Sequence, residues 1–370
     1  MTGVRRGLWH AALVLAGLAA AGLLIVVSGI VPIKASAGHW PITRWFLGFA
    51  MARSVATHTL AVTPPSLDDP GLVLKGAGHY DFGCRPCHGS PGQRPPTIAQ
   101  GMTPQPPELP PAIAQWDPEE LYYIVKHGVK FTAMPAWPAR QRDDEVWAMV
   151  AFLRTLPDLD RSAYRRLVRG DEPAGAEGAR QPAATASCAP CHGADGNGRG
   201  LGAFPRLAGQ RPAYLLASLE AFARGERHSG IMKPIAAGLD ASEMRELARF
   251  YAGLPQADRR SRSDQAASDT GEAIAQRGIP RQRVPACASC HGPGPLPRNP
   301  IYPELAGQYA DYLALQLRLF KDDLRGGTPY AHIMRMVAGR LTPEQMRAVA
   351  DYYAALPAVP AGPGVHTILR

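Results

Sequence analysis

The segment Cys84-Arg-Pro-Cys-His88 is the first of three copies of one short pattern, and the others are Cys188-Ala-Pro-Cys-His192 and Cys287-Ala-Ser-Cys-His291. All six cysteines of the 370-residue chain lie in these copies, so none remains for a disulfide bond or for another metal site. On a short helix the two thiols of such a pattern lie on neighbouring turns, and the histidine projects beside them. The three copies therefore predict three sites of the same kind, and the chain is expected to fold around them.

Cys-x-x-Cys-His is the attachment pattern of c-type haem, in which two thiols bond the porphyrin edge and the histidine ligates the iron. A single Cys-x-x-Cys also fits a thiol redox pair or half of a zinc site. Zinc ribbons bring two pairs to one metal, whereas these pairs recur about a hundred residues apart, each with its own histidine. We predict three covalently bound haem c groups, attached through Cys84 and Cys87, Cys188 and Cys191, and Cys287 and Cys290, with His88, His192 and His291 as iron ligands.

Residues 1–37 carry the signals of an exported or membrane-anchored protein. Arg5 and Arg6 precede an apolar run over residues 11–31, which is long enough to cross the hydrocarbon core of a bilayer. Ala35-Ser36-Ala37 also fits the cleavage site of a secretory signal. We favour a retained anchor in the inner membrane, with the three motifs facing the periplasm.

Residues 38–65 predict an amphipathic segment beside the membrane. Ile42, Trp45, Phe46 and Phe49 recur at helical spacing within it. A helix of this kind lies at a membrane surface or against a membrane partner. Packing against the first haem domain explains the same pattern equally well.

The net charge of +9 is unevenly distributed along the chain. Residues 1–65 contain five Lys or Arg and no Asp or Glu, residues 66–160 contain eight against twelve, and residues 161–370 contain 27 against 19. An acidic first domain and basic later domains fit docking to oppositely charged redox partners or to anionic lipid. Nucleic acid is not an expected partner of an exported haem protein.

The second and third motifs begin two copies of a longer repeat. Each copy contains a Leu-Ala-Gly-Gln segment, an Ile-Met pair and a closing apolar helix, at residues 207–210, 231–232 and 247–255 and again at 305–308, 333–334 and 349–357. Capping boxes at 240–243 and 342–345 predict where the closing helices begin. In the first domain the closing helix is predicted at 145–156. The predicted class is all-α, with domains at 66–165, 182–258 and 272–358 and polar linkers at 169–183 and 259–270.

The sixth ligand of each iron decides between electron transfer and substrate chemistry, because a filled position favours the former. Each domain has a methionine at a corresponding place between its motif and its closing helix, namely Met134, Met232 and Met334. A lone methionine is more often a core residue, but corresponding positions in three domains favour iron ligation. The alternatives are Met336, for the third iron, and the lower-ranked His127, His228 and His332.

The second ring nitrogen of an iron-bound histidine needs a hydrogen-bond acceptor, commonly a backbone carbonyl. Pro205 and Pro303 lie 13 and 12 residues after His192 and His291, in loops whose conformation proline restricts. We predict that their carbonyls accept these two bonds.

Together these residues resemble the class I cytochrome c family over nearly all of residues 75–357. The shared Cys-His-Gly, Leu-Ala-Gly-Gln and Ile-Met segments are similar to those of tandem two-haem bacterial cytochromes c. Met134-Pro-Ala-Trp137 is similar to a segment in single-haem domains of terminal oxidase subunits. The resemblance implies a helical fold around an almost buried haem and one-electron transfer through its exposed edge.

The predicted function is electron transfer, without catalysis of its own, by a membrane-anchored tri-haem cytochrome c in a respiratory chain. The expected partners are a terminal oxidase, or a quinol-oxidising or dehydrogenase complex. Three-haem subunits of membrane-bound alcohol and sugar-acid dehydrogenases are usually held through their carboxyl end, and the amino-terminal anchor predicted here differs from that arrangement. The alternative is a haem enzyme, a peroxidase or a small-molecule reductase, with one open iron. A haem-based sensor is a third interpretation, although no signalling module is recognisable.

Overall fold

The computed structural model describes residues 2–31, 33–170, 182–257, 269–292 and 299–357. Every regular element within these ranges is a helix, which confirms the all-α prediction. Most of each predicted linker lies outside the described residues, as do residues 258 and 358 at the ends of two predicted domains.

Two α-helices precede unit 1, and the others form three units that each contain one motif. The first two are α1 (Thr2–Val27) and α2 (Pro41–His58). Unit 1 comprises α3 (Pro70–Gly83), α4 (Arg85–His88), α5 (Thr97–Gln100), α6 (Leu109–Ile113), α7 (Pro118–His127), α8 (Asp143–Thr155) and α9 (Arg161–Arg169). Unit 2 comprises α10 (Thr185–His192), α11 (Pro212–Ala223), α12 (Met232–Ala237) and α13 (Ala241–Gly253). Unit 3 comprises α14 (Asp269–Arg277), α15 (Ala288–His291), α16 (Ala310–Lys321), α17 (Ala331–Ala338) and α18 (Pro343–Ala355).

Helix α1 contains the one described segment that is long and apolar enough to cross a membrane. Gly3–Val27 has a mean hydropathy of 2.4 over its most apolar window, and none of that window is buried against the rest of the chain. Such a helix fits an anchor, although a signal sequence near the amino terminus has the same length and composition.

Helix α2 is attached to unit 1 at one end only. Val55, near its end, is buried, and the His58 ring stacks on Tyr123 of α7 with ring centroids 5.4 Å apart. Trp45 and Phe49, nearer its start, are 63% and 55% exposed. The end of α2 therefore packs on the first haem domain, which was one of the two interpretations of the sequence. Its aromatic start faces away from the fold.

The closing helices begin where their capping boxes predict. Asp240 and Glu243 cap the start of α13, and Thr342 and Gln345 cap the start of α18, each pair bonding the backbone of the other. In unit 1 the closing helix is α8, which begins two residues before its predicted start.

Two glycines allow the first and closing helices of units 1 and 3 to cross closely. A Cβ at Gly76 of α3 would lie 2.0 Å from the carbonyl oxygen of Ala148 in α8. At Gly271 of α14 the corresponding distance to the Ala348 oxygen in α18 is 2.2 Å. Because no side chain fits at either position, glycine sets the crossing that delivers the chain into the Cys-x-x-Cys-His helix.

Candidate haem sites

The three motif histidines are oriented in the same way. The ring Nδ1 of each lies within hydrogen-bond distance of a prolyl carbonyl: Pro107 for His88 (3.0 Å), Pro205 for His192 (3.1 Å) and Pro303 for His291 (3.0 Å). The predictions for Pro205 and Pro303 are confirmed, whereas Pro107 was not predicted. With Nδ1 donating to the carbonyl, Nε2 is the nitrogen that carries the lone pair, as iron ligation requires.

Burial keeps two of the motif imidazoles in the form that binds iron. It lowers the pKa of His88 and of His192, and the hydrogen bond to the prolyl carbonyl opposes this shift only in part. Both rings are therefore neutral at pH 7, as an iron ligand must be.

A glycine in the left-handed region follows every motif histidine. Gly89, Gly193 and Gly292 have φ of 72°, 81° and 69°. A buried tyrosine then bonds the exiting chain in two units, because Tyr80 donates to the Gly89 carbonyl at 2.8 Å and Tyr353 to the Gly292 carbonyl at 3.0 Å. The chain is thus turned away sharply below the imidazole, which leaves room for a flat ring.

Several of the six motif cysteines lie in buried surroundings that disfavour a free thiolate. Burial raises the pKa of the Cys84 and Cys191 thiols to about 12 and that of Cys287 to about 11. Thiols with such pKa values are poor thiolate ligands and poor nucleophiles. In the described ranges no group of three or more His, Cys, Asp or Glu is placed to hold a metal ion directly.

One cavity of about 750 Å³ runs through units 2 and 3 and reaches unit 1 at residues such as His79 and Glu145. Its lining brings together the predicted residues of both units, namely Cys188, Cys191, His192 and Met232, and Cys287, Cys290, His291 and Met334. Most other lining residues are apolar or aromatic, which fits a large apolar cofactor.

The competing ligands occupy different places. Met334 is half-buried against the core of unit 3, whereas Met336 is 55% exposed and does not line the cavity. His228 does line the cavity, but His332 is exposed and His127 packs against Tyr123 on the surface of unit 1.

In unit 1, Met134 lies in a tight turn that packs against the end of α7. Its backbone N–H donates to Thr132 Oγ1 at 3.1 Å, and its carbonyl accepts from Val129 N at 3.2 Å. A Cβ at Gly128 would lie 2.6 Å from the Met134 oxygen, so the Met134 turn packs directly against the backbone that follows α7. The backbone of Met134 is therefore fixed, while its side chain remains half-buried.

The cavity also contains two buried cationic side chains. Arg227 and Arg325 line it and are 7% and 8% exposed. Arg227 donates to Tyr312 Oη at 3.0 Å and Arg325 to Tyr214 Oη at 2.8 Å, but no acidic side chain pairs with either among the described residues. Burial and the neighbouring Arg227 lower the pKa of Arg325. Buried cations need anionic partners, and the propionates of a bound haem would supply such partners, so the residues present fit the group.

Paired cysteines and a proline-oriented histidine, together in units 2 and 3 with a methionine that lines the same cavity, are the features of a c-type cytochrome. Residues 71–153 match the family described as cytochrome c oxidase, cbb3-type, subunit III, and residues 176–255 and 268–356 match the cytochrome c family. The chain belongs to the class I c-type cytochromes, as its resemblance to them indicated. Its cysteine pairs indicate covalently bound haem c, and electron transfer is the activity of the family.

Relatives and solved structures match about half of this chain. The thiosulfate dehydrogenase electron acceptor of Thiomonas intermedia is 39% identical, over 49% of this chain and 84% of the relative. Cytochrome c4 of Thiocapsa roseopersicina is 34% identical, over 46% and 86%. The structure of thiosulfate dehydrogenase from Marichromatium purpuratum matches with 41% identity and a TM-score of 0.42, over 46% of this chain and 36% of that one. For cytochrome c4 from Pseudomonas stutzeri the identity is 31% and the TM-score 0.43, over 46% and 94%.

Proposed function

We propose that this chain is a membrane-anchored, periplasm-facing tri-haem electron carrier of a respiratory chain. The observation that carries the proposal is the cavity of units 2 and 3, where a motif histidine and a methionine face the same space in each unit. When bound, haem supplies one-electron chemistry between ferrous and ferric iron. A methionine in the sixth position closes the iron to substrates and raises its reduction potential relative to bis-histidine ligation.

The proposed ligand set has one histidine and one methionine in each unit. The histidines are oriented by their prolyl carbonyls, and the exposure of Met336 supports Met334 as the third methionine. The full set is Cys84, Cys87, His88 and Met134; Cys188, Cys191, His192 and Met232; and Cys287, Cys290, His291 and Met334. The proposed domains keep the bounds 66–165, 182–258 and 272–358.

The comparisons support a direction of electron flow. Relatives of the duplicated part of the chain include electron acceptors of thiosulfate dehydrogenase. The first domain instead matches a subunit of a cbb3-type oxidase. We therefore propose that a sulfur-oxidising dehydrogenase donates electrons to units 2 and 3, and that unit 1 delivers them to a terminal oxidase.

Attachment to the inner membrane is proposed on the basis of α1 and α2. Helix α1 is long enough to span, and the segment after it touches unit 1, since Thr103 Oγ1 donates to the Ala35 carbonyl at 2.7 Å. The exposed aromatic side chains at the start of α2 fit the interfacial zone of a bilayer. Unit 1 is then the haem unit nearest the membrane.

The test is a haem count and a ligand-binding assay on the purified full-length protein. A carrier should contain three haem c groups per chain, all low-spin, and its reduced form should bind no carbon monoxide at neutral pH. A CO-binding fraction of one haem in three would instead support the haem enzyme with one open iron. Recovery of the unprocessed chain in the inner-membrane fraction tests the anchor, and a mature chain that lacks residues 1–37 would contradict it.

A further inference from the structure

A buried carboxylate joins unit 1 to unit 2. Glu145, in the first turn of α8, is 3% exposed and has four hydrogen-bond donors. Its Oε2 accepts from Trp137 Nε1 (3.0 Å) and Gly230 N (2.6 Å), and its Oε1 accepts from Ser229 Oγ (2.7 Å) and pairs with Arg142 Nη1 (3.2 Å). A buried charge with both oxygens satisfied is rigidly held, and the loss of one partner is costly.

The partners of this carboxylate lie next to two proposed iron ligands. Trp137 ends the segment Met134-Pro-Ala-Trp137, three residues after the methionine of unit 1. Ser229 precedes the methionine of unit 2, and its Oγ accepts from the backbone N–H of Met232 at 3.1 Å. One side chain, Glu145, therefore connects both methionine-bearing turns.

A second contact lies on the thiol side of unit 2. A Cβ at Gly78 of α3 would lie 2.8 Å from Phe204 Cζ and 3.1 Å from Cys191 Sγ, so α3 rests directly on the second attachment site. Six residues later the same helix ends at Cys84 of the first motif. The rise between these two positions is only about 9 Å.

Arg199 and Arg142 complete the junction from either side. Arg199 of unit 2 donates through Nη1 to the Leu167 carbonyl (2.7 Å) and the Val168 carbonyl (2.6 Å), which caps the carboxyl end of α9 in unit 1. Arg142 of unit 1 donates to the His228 carbonyl at 2.5 Å. The contacts between units 1 and 2 thus surround the proposed haem sites.

We propose that this junction is an internal electron-exchange interface, in which Glu145 is a positioning residue that holds the Met134 and Met232 turns and the close approach at Gly78 sets the separation of the first two motifs. The inference rests on the proposed tri-haem function. One electron leaves the ferrous centre of one unit and is gained by the ferric centre of the other, so the exchange requires no proton and no further reactant.

Three variants of the haem-loaded full-length protein test the interface. Glu145→Gln keeps the shape of the side chain but removes its charge and turns one acceptor into a donor. Gly78→Ala adds a methyl group against Phe204 Cζ and Cys191 Sγ, which must give way, whereas Gly83→Ala, on the same helix, meets nothing within 4 Å and is the matched control. Both glycine variants gain helix propensity, so only the contact distinguishes them.

The measurement is the rate of electron equilibration within the chain after rapid one-electron reduction, with the methionine–iron charge-transfer band as a second readout. Glu145→Gln and Gly78→Ala should slow exchange between units 1 and 2 by roughly tenfold, while Gly83→Ala matches the unaltered protein. In Glu145→Gln the band should also shift for the iron of unit 2, because the Ser229 turn loosens. Exchange between units 2 and 3 should not change in any variant.

If both test variants exchange electrons between units 1 and 2 at the rate of the unaltered protein, the proposed electron-exchange interface is wrong. If Glu145→Gln does not fold, Gly78→Ala against Gly83→Ala decides alone. The failure of the wider proposal gives a different result, since fewer than three low-spin haems in the unaltered chain would contradict the tri-haem function whatever the variants do.

Discussion

Gln210 and Gln308 occupy the same position in the two copies of the repeat, and each bonds the backbone of the other copy at a matching residue. Gln210 Nε2 donates to the Glu304 carbonyl at 3.0 Å, and its Oε1 accepts from Glu304 N at 2.8 Å. Gln308 makes the same pair of bonds to Arg206, both at 3.0 Å. Units 2 and 3 therefore meet with approximate two-fold symmetry around the Leu-Ala-Gly-Gln segments.

Gln308→Ala should destabilise this interface by about 1–3 kcal/mol, because it leaves the buried N–H and C=O of Arg206 without partners. Denaturant unfolding of the haem-loaded protein measures the free energy. The control is Gln115→Ala, whose exposed amide bonds only the Ala112 carbonyl within its own turn. Equal effects of the two substitutions would show that the reciprocal bonds contribute nothing.

Met334→Ala should open the third iron, so that one haem in three of the reduced protein binds carbon monoxide. Met336→Ala is the matched control, because this side chain is exposed and two residues away. The visible spectrum with and without carbon monoxide makes the comparison. If Met336→Ala opens the iron and Met334→Ala does not, the proposed third ligand is wrong.

Arg325→Met should lower the reduction potential of an adjacent haem. A buried cation favours the reduced iron, which carries less positive charge, and its removal therefore stabilises the ferric form. For a one-electron couple, each ~1.4 kcal/mol of lost interaction shifts the potential by about 60 mV. Spectroelectrochemical titration measures the change, with Arg335→Met, a half-exposed arginine paired with Asp323, as the control. A potential that rises, or shifts equally in the control, would contradict the role of Arg325.

The stability that Asp144 contributes should depend on pH. Burial opposes its ionisation, but the charge of Lys75 (Nζ to Oδ2, 3.0 Å) and two hydrogen bonds from Arg142 outweigh burial and hold its pKa well below the usual range. A carboxyl with a depressed folded pKa stabilises the fold above its unfolded pKa of about 3.9, and this contribution is lost as the pH falls below that value.

Asp144→Asn should therefore cost about 1–3 kcal/mol at pH 7, and the difference from the unaltered protein should shrink as the pH falls from about 5 towards 2. Urea unfolding at several pH values measures it, with the exposed Asp68→Asn as control. A difference that stays constant over this range would show that the charge of Asp144 is not involved.

Much of this fold follows from local patterns. The closing helices begin at capping boxes, and the prolyl carbonyls of units 2 and 3 were predictable because the repeat aligns Pro205 with Pro303. The role of the Pro107 carbonyl was not predictable, since unit 1 has no Leu-Ala-Gly-Gln segment to align and Pro107 lies among several other prolines.

The contacts between units could not be predicted from the sequence. Glu145 looks like any acidic residue in the first turn of a helix, where it favours the helix dipole. Only the packing of unit 2 on unit 1 buries it beside Ser229. Likewise, Arg227 and Arg325 contribute to a basic composition, and nothing in the pattern distinguishes them from solvated surface arginines. Long-range docking, and not local propensity, gives these residues their roles.

The packing of α3 against Cys191 limits the direction from which haem can be attached to the second motif. Covalent attachment requires both thiols to be reachable by the porphyrin, yet in the folded chain α3 of unit 1 lies against that sulfur at Gly78. In the folded chain the porphyrin can therefore reach Cys191 from the cavity that this sulfur lines, and not from the side of α3.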